Sequence, residues 1–136
     1  MRYDVVHQSQ FVYLNGCSTP VLSRLSYRAN DPFTVSLAFR IDGDEWVEWD
    51  FARELLLTGL TEPSGIGDVR VRPDLATDDD YLVLELESPD GYAVVEIDVG
   101  DVERFADAAT AMVPPGTESD HLDLDALIAD LTTARP

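Results

Sequence analysis

The sequence contains no lysine. All nine basic residues are arginine, set against 27 Asp and Glu, for a formal net charge of -18. Such a surface repels phosphate backbones and anionic lipid, because both are bound through clustered cations. Cysteine is almost missing as well. Cys17 stands alone, which excludes an internal disulfide and most cysteine-based metal sites and fits a reducing compartment. No apolar run approaches the ~20 residues that span a bilayer. The start, Met1-Arg2-Tyr3-Asp4, lacks the apolar stretch and cleavage site of an export signal. Together these absences predict a cytoplasmic protein with no direct membrane insertion and no nucleic-acid partner.

What is present describes a folded chain. Its 136 residues, 45% hydrophobic and 26% charged, suit a single domain over 1–136 with one core. The charge is uneven. Residues 1–73 hold ten acids and seven Arg, whereas 74–136 hold seventeen acids and two Arg. An acidic surface of this kind keeps a protein soluble. No linker or internal repeat interrupts the chain.

Gln10 to Leu14 reads as a short strand closed by Asn15-Gly16, a strong turn signal. Phe33, Val35, Leu37, Phe39 and Ile41 alternate with smaller or polar residues, which predicts one buried strand face. Asp42-Gly43-Asp44 turns the chain into a return strand, Glu45 to Asp50. In that strand Trp46 falls beside Glu48 and Asp50, on the side expected to meet solvent. Either a second layer or subunit covers Trp46, or it contacts a partner. Asp50 is expected to cap a helix from Phe51 to about Thr58, with Gly59 ending it in a left-handed conformation.

Breakers fill Glu62 to Gly67, and Asp68 to Arg72 reads as strand. A second hairpin joins Tyr81–Glu87 to Tyr92–Val99 through Ser88-Pro89-Asp90-Gly91. Leu82, Leu84 and Leu86 share its buried face, with Val83 among acids on the other. Asp101 is the expected cap of a helix whose stripe is Val102, Phe105, Ala109 and Met112. Pro114-Pro115-Gly116 stops it, with Gly116 serving as a turn or as a hinge. A last amphipathic segment carries Leu124, Leu127, Ile128 and Leu131. The predicted class is α+β: two antiparallel hairpin segments, a short intervening helix and C-terminal helices.

Chemistry is sparse. His7 and His121 are the only histidines, and no nucleophile signature surrounds them, Cys17 or any Ser. Asp78-Asp79-Asp80 lacks the alternating acids, central Gly and terminal Glu of a calcium loop and reads as a solvated turn. Glu85 and Glu87 share a strand face, where solubility and edge protection explain them better than acid–base work. Arg70 and Arg72 could point together and form the chain's local basic cluster. No catalytic residue, cofactor site or metal site is expected, which leaves protein interaction as the role by elimination.

Several segments resemble, in order, the SsgA-like family of actinomycete sporulation and cell-division proteins, and within it the SsgB type. They are Leu25-Ser26-Tyr27, Asn30-Asp31-Pro32-Phe33, and Val47-Glu48-Trp49-Asp50-Phe51-Ala52-Arg53-Glu54-Leu55-Leu56. Thr58-Gly59-Leu60, Pro63-Ser64-Gly65 and Gly67-Asp68-Val69-Arg70-Val71 continue the series. Ser88-Pro89-Asp90-Gly91, Val113-Pro114-Pro115-Gly116-Thr117-Glu118 and Leu122-Asp123-Leu124-Asp125 close it. The first 24 residues match poorly. The resemblance implies a non-enzymatic regulator of septum-site selection that recruits the tubulin-like GTPase FtsZ at the septum, with an SsgA-type paralogue as partner. It also implies a homotrimer and a fold similar to the whirly single-stranded nucleic-acid-binding proteins, whose activity is the alternative reading. An oligomer contact through the hairpin Phe33 to Asp50 would cover Trp46. Trp46 and Gly116 are therefore the candidate partner-binding residues.

Overall fold

The computed structural model describes residues 4–74 and 80–121. Seven strands run β1 (Val5–Leu14), β2 (Val21–Arg28), β3 (Asp31–Asp42), β4 (Glu45–Ala52), β5 (Val69–Asp74), β6 (Tyr81–Ser88) and β7 (Gly91–Asp98). Helix α1 (Arg53–Gly59) follows β4, α2 (Val99–Met112) follows β7, and a 3-10 turn spans Glu118–His121. The expected hairpins are parts of one curled antiparallel sheet, ordered β4-β3-β2-β1-β7-β6-β5. The class is α+β, as expected, but the strands are not two separate segments. The amphipathic segment from Leu124 to Leu131 lies outside the described residues.

The sheet closes in its middle because β1 is longer than the sequence suggests. It begins at Val5 and pairs with β2 from Val5↔Arg28 to Val12↔Val21. Its far end then pairs with β7 through Tyr13↔Glu96 and Leu14↔Val95. Asn15 extends this short seam: its N–H donates to the Val94 carbonyl (2.8 Å), and its Oδ1 accepts from the Val94 N–H (2.9 Å). Asn15 (φ 54°) and Gly16 (φ 75°) form the expected turn, with the Cys17 N–H bonded to the Leu14 carbonyl. Both central residues have positive φ, the geometry that matches strand twist in a tight hairpin.

Inward residues and helices make the core. Leu25, Tyr27, Val35, Leu37 and Phe39 line the sheet's concave side with Leu82, Leu84, Leu86, Val95 and Ile97. Helix α2 lays Val102, Phe105 and Ala109 on β1, β6 and β7. Helix α1 packs Leu56 among β3, β4 and β5, with Leu55 half-buried at the margin. Phe105 alone removes enough apolar surface to contribute on the order of 2–3 kcal/mol.

Several local expectations change. Phe33 and Ile41 are exposed at 49% and 54%. Strand pairing slips beside each of them, between Tyr27 and Arg28 and between Arg40 and Asp42, and breaks the alternation at both ends of β3. Val83 is buried, flanked across the sheet by Arg72 and Glu96. Asp50 does not cap α1: the N-cap is Ala52 without a side-chain bond, and Asp50 accepts from Ser36 Oγ instead (2.6 Å). Helix α2 starts earlier, with Asp98 as cap accepting from the Asp101 N–H. Gly59 is the last residue of α1 rather than a left-handed terminus, and it is pressed against Val71.

Candidate functional site

The outward face of β1–β4 carries the most distinctive surface among the described residues. The register builds it row by row. One row crosses four strands as His7, Ser26, Ser36 and Asp50. The next runs Ser9, Arg24, Ala38 and Glu48. Ser26, Ser36 and Ala38 are the small residues within these rows, and Arg24, Glu48 and Asp50 are the long or charged ones around them. The result is a recess of ≈ 360 Å³ with Arg24 and Arg28 on one wall and Glu48 and Asp50 on the other. His7 Nδ1 lies 3.0 Å from Ser26 Oγ at its floor.

Trp46 lies at one end of this face, 37% exposed. No second layer covers it among the described residues. Ala38 leaves room for the indole to lean across β3, and the Arg24 guanidinium sits 5.0 Å from its ring centre. Such a cation–π contact is worth ~0.5–1 kcal/mol at an exposed site. Arg24 and Arg28 are also unusual for what they lack. Of the arginines among the described residues, Arg40, Arg53, Arg70, Arg72 and Arg104 each lie within 4.0 Å of a carboxylate. Arg24 and Arg28 do not.

Arg70 and Arg72 do point together, but onto Glu85, at 2.9 and 3.7 Å. The hydrogen bond from Arg70 holds the Glu85 carboxyl below the usual carboxylate range. A single carboxylate thus offsets part of the charge of the expected basic cluster. Glu85 is not edge protection, because β6 lies inside the sheet between β5 and β7. Glu87 remains exposed on the same strand. Cys17 is a free, exposed thiol, and His121 ends the 3-10 turn. Asp80 is exposed, whereas Asp78 and Asp79 lie outside the described residues. Among the described residues no group of three or more His, Cys, Asp or Glu is arranged to hold a metal ion. None of their helices is long and apolar enough to cross a membrane.

Gly116 occupies a turn on the opposite, helical side. Its φ is +92°, following Pro114 and Pro115, and the Thr117 N–H closes the turn onto the Pro114 carbonyl (3.0 Å). Proline before a positive-φ glycine is the type II pattern, so Gly116 forms a turn, and the segment that a hinge would join to α2 lies outside the described residues. The Gly116 N–H donates to both Glu118 carboxylate oxygens, at 3.1 and 3.0 Å.

Glu118 leads to a cluster that sequence reasoning missed. Arg53 is 3% exposed at the start of α1. Its Nη1 donates to Tyr27 Oη (3.1 Å) and to the Val113 carbonyl (2.7 Å), and its Nη2 donates to Glu118 Oε1 (2.8 Å). Tyr27 donates in turn to the Pro32 carbonyl (2.8 Å). Burial pushes the Tyr27 hydroxyl up from its ordinary value, opposed by Arg53. Backbone N–H groups of Glu118 and Gly116, together with Arg53, hold the Glu118 carboxyl low. A depressed carboxyl stabilises the fold above its unfolded pKa, and this contribution disappears as pH falls through the folded value. Glu118→Gln should therefore melt below the parent at pH 7, and the gap should close below about pH 4. Thermal melts of both proteins from pH 7 to 3 check this; a gap independent of pH would refute it.

Comparison with known proteins places this geometry. The family described as "Streptomyces sporulation and cell division protein, SsgA" matches residues 21–118. The chain is 49% identical to sporulation-specific cell division protein SsgB of Kineococcus radiotolerans, covering 88% of this chain and 73% of that one. It is 43% identical to SsgB of Salinispora tropica, over 97% and 94% of the two chains. A solved structure concerned with SsgB mutations and longitudinal cell division during sporulation of Streptomyces coelicolor superposes with TM-score 0.83 at 37% identity, covering 88% and 97%. An SsgA-like sporulation-specific cell division protein from Thermobifida fusca gives TM-score 0.81 at 35% identity, covering 93% and 95%. Matching most of its length in both sequence and fold, the chain belongs to the SsgA family of sporulation and cell-division proteins.

Proposed function

We propose that this protein is a non-enzymatic regulator of sporulation septation that acts at the septum by recruiting or positioning FtsZ through protein–protein contacts. The observation that carries the reading is the 43% identity, over 97% of the chain, to a relative named sporulation-specific cell division protein SsgB. An exposed aromatic beside a charged recess supports a contact role, since aromatic and arginine residues dominate binding energy at interfaces. The proposal includes a homo-oligomer, a trimer by the family resemblance, and an SsgA-type paralogue as second partner. Trp46 and Gly116 remain its candidate contact residues.

Kinship with the whirly fold enters the proposal as fold alone, because shared architecture does not carry function. Single-stranded nucleic acid requires a cationic groove lined with stacking aromatics. The pairing of Arg70 and Arg72 with Glu85 works against that alternative.

The test is co-pelleting of the purified protein with polymerised FtsZ from the same organism, at low and physiological salt. Saturable pelleting at physiological salt is the expected result. Absence of pelleting at both salts would overturn direct recruitment. Light scattering at micromolar concentration tests the oligomer, with a strict monomer as the opposing result.

A further inference from the structure

We infer that the recess on the outward face of β1–β4 is the docking groove for an extended segment of the protein partner. That segment presents an acidic side chain to Arg24 and Arg28 and a basic one to Glu48 and Asp50. The inference deepens the recruitment reading and rests on it.

The argument starts from the sheet lattice. Arg24 and Glu48 are separated by one intervening strand at Ala38, so their backbones stand roughly 10 Å apart at the spacing of neighbouring strands. An extended chain covers that distance in about three residues. Ser26, Thr34 and Ser36 line the recess between the charged side chains and keep it open for the segment to lie across the strands, with hydroxyls beneath it. Asp31, the register partner of Arg28, also lines the recess, so the charge contrast that fixes the segment's direction is sharpest between Arg24 and the pair Glu48 and Asp50. Charge complementarity of this kind sets register and suppresses wrong partners.

The pairing of the other arginines sharpens the case. With 27 acids in the chain, a carboxylate partner is the rule for arginine here. Arg24 and Arg28 lack one within 4.0 Å among the described residues and still line the same recess. Their guanidinium groups keep donors available to an incoming carboxylate, and two parallel bonds to one carboxylate are the strong geometry. Trp46 supplies an apolar anchor at one end, held in place by Arg24. Phe11, 63% exposed, lies on the same outward face of β1.

Co-pelleting with polymerised FtsZ separates the possibilities. Arg24, Arg28, Glu48 and Asp50 are all exposed, so Arg24→Glu and Glu48→Arg should keep the parent's circular dichroism, with the melt of Arg24→Glu lowered only by the few degrees that the lost Trp46 contact accounts for. Each should weaken pelleting tenfold or more, because like charges then face each other across the contact. Arg104→Glu, a matched reversal on α2, should leave pelleting unchanged. Parent-like pelleting by both recess variants would overturn the docking groove and leave recruitment standing. No pelleting by the parent would overturn recruitment and the groove with it. Loss of the homo-oligomer by Arg24→Glu in light scattering would assign the recess to a second copy of this chain and overturn the partner-segment inference.

Discussion

Arg53→Ala should destabilise the protein by about 3 kcal/mol, through the charge and hydrogen-bonding groups it leaves behind rather than through lost packing. Four elements converge on this guanidinium. Tyr27 comes from β2, the Val113 carbonyl from the end of α2, Glu118 from the turn beyond it, and Arg53 itself opens α1. With the arginine gone, the carbonyl loses a buried donor and the carboxylate loses its counter-charge. Each unsatisfied buried group costs about 1–3 kcal/mol. For a chain of this size the melting temperature should fall by roughly 10 °C. Arg53→Lys should recover less than half of that loss, because a single ammonium cannot reach carbonyl, phenol and carboxylate in the planar fork that Arg provides. Chemical denaturation of both variants measures the difference. A loss below about 1 kcal/mol for Arg53→Ala would show that water can replace the guanidinium.

Gly59→Val should cost about as much or more, for the opposite reason. A Cβ at Gly59 would lie 2.2 Å from Val71 Cγ1 and 2.7 Å from Val71 Cβ. Rotating the Val71 side chain does not move its Cβ, so relief requires α1 or β5 to shift. Ser64 Oγ resists that shift, bonded to the Leu55 carbonyl (2.7 Å), while the Ser64 backbone pairs with Val71. Overpacking of this kind costs about 1–3 kcal/mol and occasionally more, and the two further methyls of valine place the variant at or above the upper end. Urea unfolding would show a lower midpoint with an unchanged slope. An unchanged midpoint would mean that α1 is free to slide.

The reasons why some of this was legible in the sequence are local. β3, β4, β6 and β7 announce themselves because Val35, Leu37 and Phe39, or Leu82, Leu84 and Leu86, recur at every second position of a hairpin strand, although Val83 is buried as well. β1 shows only its second half because glutamines occupy inward positions, and in β2 the buried Ser23 interrupts the inward series that Leu25 and Tyr27 continue. Gln10 is buried with its amide donating to Ser23 Oγ (2.8 Å), and Gln8 donates to the Asp101 carbonyl (2.6 Å). A hydrophobic period is blind to a glutamine that is satisfied inside. With β2 unassigned, Arg24 and Arg28 had no face, and the recess beside Trp46 could not be assembled. The buried role of Arg53 was equally invisible, since its ion-pair partner lies 65 residues away. Asp98 and Asp101 are equally good caps by residue type, and only the backbone geometry chooses between them. Trp46 was identifiable from alternation alone, because a tryptophan among acids on a strand face contradicts the pattern around it.

The short seam between β1 and β7 has a kinetic consequence. The strands on one side, β1 to β4, follow one another by tight connections and can pair as they emerge from collapse. On the other side β6 pairs with both β5 and β7, its neighbours in chain order. Asn15 and Val94, which join the halves, are 79 residues apart in the chain. Bringing such distant residues together costs loop-closure entropy before any contact repays it, and such non-local pairing slows folding. Two locally assembled meanders must therefore meet before α2 has a continuous floor to settle on. The Leu14–Cys17 turn, whose Asn15 donates one hydrogen bond to Val94 and accepts another from it, stands where that meeting is made.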